Sequence, residues 1–510
     1  MLKQAPPVPQ TNYSGGLNSA ENPLAVKDNE SPDCANVHTN VFGSVERRGG
    51  KEKLNTSAVG ASAVAYGALD FQLSASSRIL THIWDDTLYK MDSLDGTWDA
   101  ITMTVAIGTG RAELRAYLKK LVIVSHISGN IQSWDGSAGA TATISGAAAF
   151  KYGWADDITG RFWAAGLANN EGVAYFSPTN TLSFDTTNDK LQVSNTDVIM
   201  GYRTLKGRLY AMGQRGWYRI DDLGGDPRYG ARFVAGPGTL APETAQVADI
   251  LGVGEGIVYL DTNKQLRFFN GLDAIRISYK FDHKASFSSA HSLDRASASR
   301  FENTHAVVWP ARNWYMLHYS EDSDSANDNV LVYDLNAKSA WPFTEVPCNA
   351  ACVATDGNGV LKLYQSASTG ITWRADSGDD DDDGTGIISH YDFSRKPAEE
   401  GSGRRGLMHK WRQVALALKA TGAHTITLKV RMDFATGYET LAEISLAGTG
   451  VALGTFVLGT DVLGGVEAVE AVIGIDRLGK HCQLRLETSS ANPAWQLFSD
   501  ELSVRPLGVY

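Results

Sequence analysis

The stretch Leu121-Val122-Ile123-Val124-Ser125-His126-Ile127-Ser128-Gly129-Asn130-Ile131-Gln132-Ser133-Trp134 holds a whole β-hairpin. An apolar strand runs into a Ser-Gly-Asn turn, and a second strand returns to an aromatic followed by Asp135-Gly136. The same cassette recurs along the middle of the chain. Lys206 to Met212 leads to Gly216 to Ile220, and Gly254 to Leu260 leads to Gln265 to Gly271. Arg312 to Leu317 leads to Val330 to Asp334, and Asn358 to Tyr364 leads to Gly370 to Trp373. Thr159 to Ala165 is a further copy, and Ile79 to Trp98 an earlier, degenerate one.

Copies begin roughly 40 to 57 residues apart, the length of a four-stranded propeller blade with loops of varying size. One such sheet cannot bury both its faces, whereas radial stacking buries them and ring closure limits exposed edges. Residues 61–375 therefore read as a six- or seven-bladed β-propeller in an all-β chain; two irregular sandwiches are the alternative. Trp134 and its counterparts Phe268, Tyr333 and Trp373 recur at one place in the cassette, so packing between blades is expected of them rather than sugar binding.

Composition agrees. The 510 residues include 51 Gly, 12 Trp and 19 Tyr, with only 20% charged, as suits many turns and aromatic strands. The net charge of −11 (46 basic against 57 acidic side chains) excludes a basic nucleic-acid footprint. No apolar run suggests a leader in the first twenty residues, and none of about 18 residues suggests a membrane span. The four cysteines, Cys34, Cys348, Cys352 and Cys482, suggest free thiols. Cys348 and Cys352 lack C-x-x-C spacing and a second pair, so no zinc site is expected of them.

Outside the repeat, residues 1–60 are rich in Pro, Asn and Gly and read as an extended N-terminal arm. Ser31-Pro32 suggests a short helical turn over Pro32 to Val37. The arm packs on its own domain or reaches a neighbouring subunit. In the second case, deleting residues 1–50 would leave a folded propeller and impair assembly. Residues 376–406 form an acidic loop and linker. Residues 407–510 show period-two alternation, strictest over Thr425 to Met432, and read as an antiparallel β-sandwich, with Thr421-Gly422-Ala423 as a hairpin turn after Trp411 to Lys419.

No catalytic motif stands out, so no enzyme activity and no cofactor are expected. Gly49-Gly50-Lys51 lacks the spacing and the Ser/Thr of a phosphate loop. Ser93-Leu94-Asp95-Gly96-Thr97-Trp98 resembles a sialidase Asp-box but misses two positions, and Asp-Gly is ordinary turn chemistry. The pairs Asp156-Asp157 and Asp221-Asp222 could work as acid and base only if they faced one cleft. Within the run Asp379, Asp380, Asp381, Asp382 and Asp383, residues Asp379, Asp381 and Asp383 with Gly384 match part of an EF-hand loop. His390 stands where the bidentate Glu should be, so calcium is a weak candidate. The run otherwise reads as a solvated loop, or as an acidic channel rim that repels passing nucleic acid.

The arm carries one family-level signal: Gly15-Gly16-Leu17-Asn18, Asp28-Asn29-Glu30, Asn36-Val37, Gly43 and Arg47-Arg48-Gly49. This opening resembles the start of the tail nozzle or tail tubular (DNA-stabilisation) proteins of short-tailed bacteriophages, where it precedes a β-propeller. The resemblance implies a virion tail protein, assembled in the host cytoplasm. Its copies, usually six, would form a homo-oligomeric ring below the portal-adaptor complex, through which the genome is retained and ejected. Implied partners are the head-tail adaptor and the tail fibre, spike or needle proteins, with DNA passing in the lumen without specific binding. Gly15, Gly16, Leu17, Asn18, Arg47 and Arg48 then become the candidates for subunit or partner contact. A carbohydrate- or receptor-binding propeller of the virion is the alternative, and a propeller glycosidase the second.

Overall fold

A computed structural model describes residues 9–506 except 23, 61–62, 75–76, 93, 129–130, 138, 226–227, 284–290, 323, 325, 379, 395, 398–407, 422–423, 434, 448–467 and 489–493. The turn residues Gly129 and Asn130 of the opening stretch thus lie outside the described residues, as does Asp379. The strands on either side of that turn pair as the sequence predicts: Val122 faces Ser133, and Leu121 faces Trp134.

Seven antiparallel meanders follow one another. Blade 1 begins with Ala65–Ser74, blade 2 with Ala112–Tyr117, blade 3 with Tyr152–Asp156 and blade 4 with Ile199–Leu205. Blade 5 begins with Gln246–Ile250, blade 6 with His305–Trp309 and blade 7 with Ala350–Thr355. These first strands line the axis, and that of blade 7 packs on that of blade 1, closing the ring. Each cassette read from the sequence supplies the second and third strands of one blade. Trp134 is buried and meets Phe71 of blade 1 at 6.1 Å, so it does pack between blades. The chain is a seven-bladed β-propeller.

Blade 7 takes its fourth strand from the start of the chain. Lys51–Lys53 pairs with Thr372–Ala375, with Glu52 opposite Arg374 and Lys53 opposite Trp373. The pairing is sealed by Leu54 N–H donating to Thr372 O (2.8 Å) and Thr372 N–H donating to Asn55 Oδ1 (2.7 Å). Lys51 and Lys53 lie over the Trp373 ring at 4.9 and 5.5 Å, covering it as a neighbouring strand's side chains do elsewhere.

The rest of the first sixty residues is built into the fold as well. Two sheets form the antiparallel β-sandwich. One orders Cys34–Ala35, Ser389–Asp392, His481–Thr488, Thr425–Met432 and Glu439–Ser445. The other orders Val37–Thr39, Val45–Arg47, Gln496–Pro506, His409–Lys419 and Ala468–Gly479. Val37 and Val45 are fully buried in the same core as Trp411, Leu428, Leu486 and Leu497. The helical turn expected over Pro32 to Val37 does not form. The Ser31 hydroxyl donates to Asp33 O and Asp392 O instead of capping, Cys34 pairs with Tyr391, and Asn36 takes a left-handed φ of 56°. Nor do Trp411 to Lys419 and Thr425 to Met432 form a hairpin. They lie in opposite sheets, because two half-buried strands that turn their apolar faces to one core can face each other across it.

His82 of blade 1 and His38 beside blade 6 are buried at the seams these joins create. His38 meets the Trp314 ring at 4.9 Å, and Ser366 Oγ of blade 7 is 3.2 Å from His82 Nδ1. Burial pushes His82 down to about 3, and burial together with the nearby Arg312 pushes His38 down to about 4. An unfolded histidine takes its proton near about 6.5. Between that value and the folded values the unfolded chain binds more protons, so stability falls as pH drops from about 6.5 toward 4. Each residue adds up to about 1.4 kcal/mol per pH unit to the slope. Thermal melts at stepped pH are expected to show this loss, with a shallower slope in His82→Gln.

Candidate functional site

The motif residues of the arm converge on the joint between propeller and sandwich. Gly16-Leu17 pairs in parallel with Glu30-Ser31. At Gly16 (φ 70°) a side chain would meet Ser339 Cβ at 2.7 Å, so only glycine lets the arm lie this close to the outer strand of blade 6. Leu17 and Asn18 are buried. Asn18 Nδ2 donates to Glu30 Oε2 (2.7 Å), and Lys280 of the blade 5–6 connection pairs with Glu30 Oε1 (2.8 Å). Asn36 Nδ2 donates to Thr344 Oγ1 and to Ile388 O, while Asn36 Oδ1 accepts from Arg48 Nε at 2.9 Å.

Arg48 reaches onward to Asp382 with both terminal nitrogens, at 2.9 and 2.6 Å. Arg47 pairs with Asp380 (3.5 Å), Lys51 lies 4.0 Å from Asp382, and Lys53 pairs with Asp383 (2.5 Å). The acidic run is therefore clamped by the basic stretch that closes blade 7. Asp381–Asp382 extends that blade beyond Lys51–Lys53, with Asp382 opposite Lys51, and Thr385–Gly386 pairs with it as the edge strand. Two expectations change. Gly16, Leu17, Asn18, Arg47 and Arg48 are bound within their own chain rather than presented to a neighbour. Asp380, Asp382 and Asp383 are neutralised in place rather than left as a repelling rim. The calcium pattern is not assembled among the described residues either: Asp381 Oδ1 accepts from Gly384 N–H (2.8 Å), and Asp383 is turned to Lys53.

The axis of the propeller carries a second ionic group. Glu113 and Arg115 of blade 2, Arg203 of blade 4 and Glu243 before blade 5 meet there. Glu243 Oε1 takes Arg115 at 2.7 Å and Arg203 at 3.3 Å; Glu113 takes His126 at 3.2 Å and Gly153 N–H at 2.9 Å. The Trp154 ring lies against Arg115 and Arg203, at 5.1 and 4.8 Å. Burial would raise the Glu243 carboxyl, but Arg115, Arg203 and Arg111 outweigh it and hold it well below the usual range. All these groups are buried or nearly so, and they fill the axis with protein at this level.

The carboxylate pairs do not share a cleft. Asp156 is buried and accepts from Thr159 and Thr204, while Asp157 is exposed. Asp221 pairs with Arg219 and Asp222 with Arg228. Asp95 Oδ1 accepts from Thr97 N–H (2.9 Å), which is a turn and accounts for the Asp-box likeness. One group of potential metal ligands is close-set among the described residues: His305, His318 and Cys348.

The unpartnered surface lies elsewhere. In a propeller, the turns joining first to second and third to fourth strands all open on one face. That face carries Leu118, Ile158, Leu223, Leu251, Val253 and Leu272, which are 43 to 66% exposed. Beside it hangs the turn of the arm hairpin, with Val41 93% and Phe42 84% exposed. Asn40 holds this tip in shape: its Oδ1 accepts from Phe42 N–H (3.0 Å), and its carbonyl accepts from Gly43 N–H (3.0 Å), where φ is 82°. A cleft of about 920 Å³ runs between the tip and the turns of blades 5 and 6, lined by Asn12, Phe42, Leu251, Arg312 and Asn336 among others. The sequence signal for this surface was available, as apolar residues inside turns, but each is unremarkable alone.

No protein-family model matches the chain, and no curated protein sequence does. Solved structures it is similar to include U3-55K, at 8% identity and a TM-score of 0.40, covering 64% of this chain and 98% of that one. The extracellular domain of BT4673 from B. thetaiotaomicron is another, at 9% identity and 0.42, covering 82% of this chain and 59% of that one. Exo-β-1,3-galactanase from Phanerochaete chrysosporium matches at 11% identity and 0.27, covering 90% and 100%. Likeness at this level says nothing of ligand, activity or partner, and the propeller assignment rests on the strand pairing itself.

Breaking the clamp should be costly, because the Arg48 and Asp382 side chains are only 6 and 10% exposed. Arg48→Ala strands a buried carboxylate and is expected to cost about 3–5 kcal/mol in urea unfolding. Adding Asp382→Ala should recover part of that loss, since it removes the stranded charge.

Proposed function

We propose that the chain is a structural subunit of a phage tail, of the nozzle or tail-tube type, whose copies close a ring around the passing genome. The observation that carries this reading is the set of exposed apolar turn residues on one face, with the exposed Val41-Phe42 tip set apart from them across a cleft. Apolar surface of this kind, rimmed by polar groups, marks association rather than turnover. Ring closure needs two different patches per copy that meet head to tail. The apolar face and the hairpin tip are two such patches on one subunit. The resemblance of the arm to nozzle proteins supplies the tail, the six-fold ring, the adaptor above and the fibre, spike or needle proteins beside it. The net charge of −11 accords with DNA sliding past without specific binding.

Electron microscopy of native particles and of the purified chain tests the proposal: a six-fold ring with a central channel is expected. Absence of the protein from intact particles, or turnover of a glycan, overturns it. Phe42→Asp and Leu251→Asp should leave the subunit's stability within about 0.5 kcal/mol, as solvent-facing substitutions do. Both should abolish ring formation or incorporation into particles, read by native mass spectrometry and by particle composition.

A further inference from the structure

We infer that His305, His318 and Cys348 form a site for one zinc-class divalent transition-metal ion at the seam of blades 6 and 7. The three residues come from three places. His305 opens the first strand of blade 6, His318 lies on its second strand Trp314–Tyr319, and Cys348 stands two residues before the first strand of blade 7. His305 and His318 are direct cross-strand partners, so their side chains share one face of the blade. Their rings stack at 4.8 Å and 12°. One ligand atom from each of the three residues falls within 4.8 Å of the other two, and His305 Nε2 is 3.8 Å from Cys348 Sγ. Tetrahedral zinc with Zn–N near about 2.0 Å and Zn–S near about 2.3 Å sets its ligand atoms roughly 3.3–3.7 Å apart, so small side-chain rotations close the site.

Packing alone explains part of this cluster. The Cys348 thiol donates to Ala350 O (3.3 Å) beside His305, and stacked imidazoles can fill a seam. It leaves His318 unexplained. That side chain is fully buried, and neither of its ring nitrogens has a hydrogen-bond partner. Buried polar atoms without partners are rare and costly, and a metal ion would engage one of them. The surroundings fit an ion as well. His305 Nδ1 lies 3.4 Å from Asn303 O; the tautomer that donates there turns the Nε2 lone pair toward Cys348, as outer-sphere carbonyls do at metal sites. Two imidazoles and a thiolate are the donor set zinc prefers.

A cleft of about 310 Å³ nearby is lined by Arg111, Asn303, Asn327 and Asn349; Asn303 meets His305, and Asn349 follows Cys348 in the chain. Asn327 O accepts from Cys348 N–H (2.7 Å), and Asn327 Oδ1 is buried without a partner. That oxygen, or a water from the cleft, completes four-fold coordination. Burial pushes the Cys348 thiol up to about 12, and Arg111, which donates to Asn349 O (2.6 Å), and Lys51 act against that shift from the same region. Metal binding therefore has to displace the thiol proton, as it does at thiolate sites in general.

The test uses the full chain, stripped with a chelator and titrated with cobalt(II). One equivalent is expected to bind with a tetrahedral visible spectrum and a thiolate-to-cobalt charge-transfer band, displaced by zinc. Cys348→Ser should lose the band, and His318→Gln should weaken cobalt binding at least about tenfold. Cys352→Ala, at a buried thiol outside the cluster, should keep both. X-ray absorption of the zinc-loaded native chain, which needs no variant to fold, should show one sulfur and two imidazoles. No cobalt uptake, a band that survives Cys348→Ser, or a zinc shell without sulfur overturns the inference.

Discussion

Everything in this chain hangs on one pairing, Lys51–Lys53 against Thr372–Ala375. A propeller is a ring, and its last blade has to find a partner that the first part of the chain set aside. Some 320 residues lie between the two strands, yet the entropy of closing so long a loop grows only with its logarithm. What the closure joins is larger than a strand pair. The chain enters through sandwich strands Val37–Thr39 and Val45–Arg47, crosses to the propeller, runs through seven blades and returns to complete the sandwich. Propeller and sandwich therefore share one hydrophobic core, in which Tyr13, Val45, Trp341 and Leu497 belong together. Such a core is built from long-range contacts, and folding is expected to be slow for that reason.

The joint is polar where a purely apolar seam would have served. Arg48 is bonded at once to Asn36 and to Asp382, and Asn36 in turn to Thr344 and Ile388. Three distant parts of the sequence meet through two side chains. Buried ion pairs contribute little net stability, but an unmatched one is strongly penalised. A network of this kind disfavours every other register for the returning arm. The same logic holds at the axis, where Glu243 accepts two arginines from two blades and fixes how those blades face each other.

The propeller was legible because its unit is local. Each cassette is a hairpin whose strands and turn lie within about twenty residues, so alternation and turn chemistry reveal it. Leu118 and Lys119 carry positive φ values of 51° and 59° in the tight turn that precedes the opening stretch, just where the repeat placed a turn. The arm was not legible in the same way. Its strands are two or three residues long, too short for any period, and the partners of Cys34–Ala35 and Lys51–Lys53 lie more than 300 residues away. Arg47-Arg48 and the aspartate run looked like two separate features because nothing in the linear order says that they meet. The metal-ligand group escaped for the same reason: the cysteine lies 43 residues from one histidine partner, and only the blade register brings them together.

Charge follows from this geometry. With Asp380, Asp382 and Asp383 held by Arg47, Arg48 and Lys53, the most acidic stretch of the sequence contributes little field of its own. The net −11 must act through carboxylates spread over the rest of the surface. A diffuse negative surface suits a channel wall better than a concentrated rim does, because a rim presents one steep barrier whereas a wall repels evenly along its length. A wall also needs breadth, and breadth comes from copies standing side by side. On the reading proposed above, the apolar turns and the Val41-Phe42 tip are the edges on which one copy meets the next.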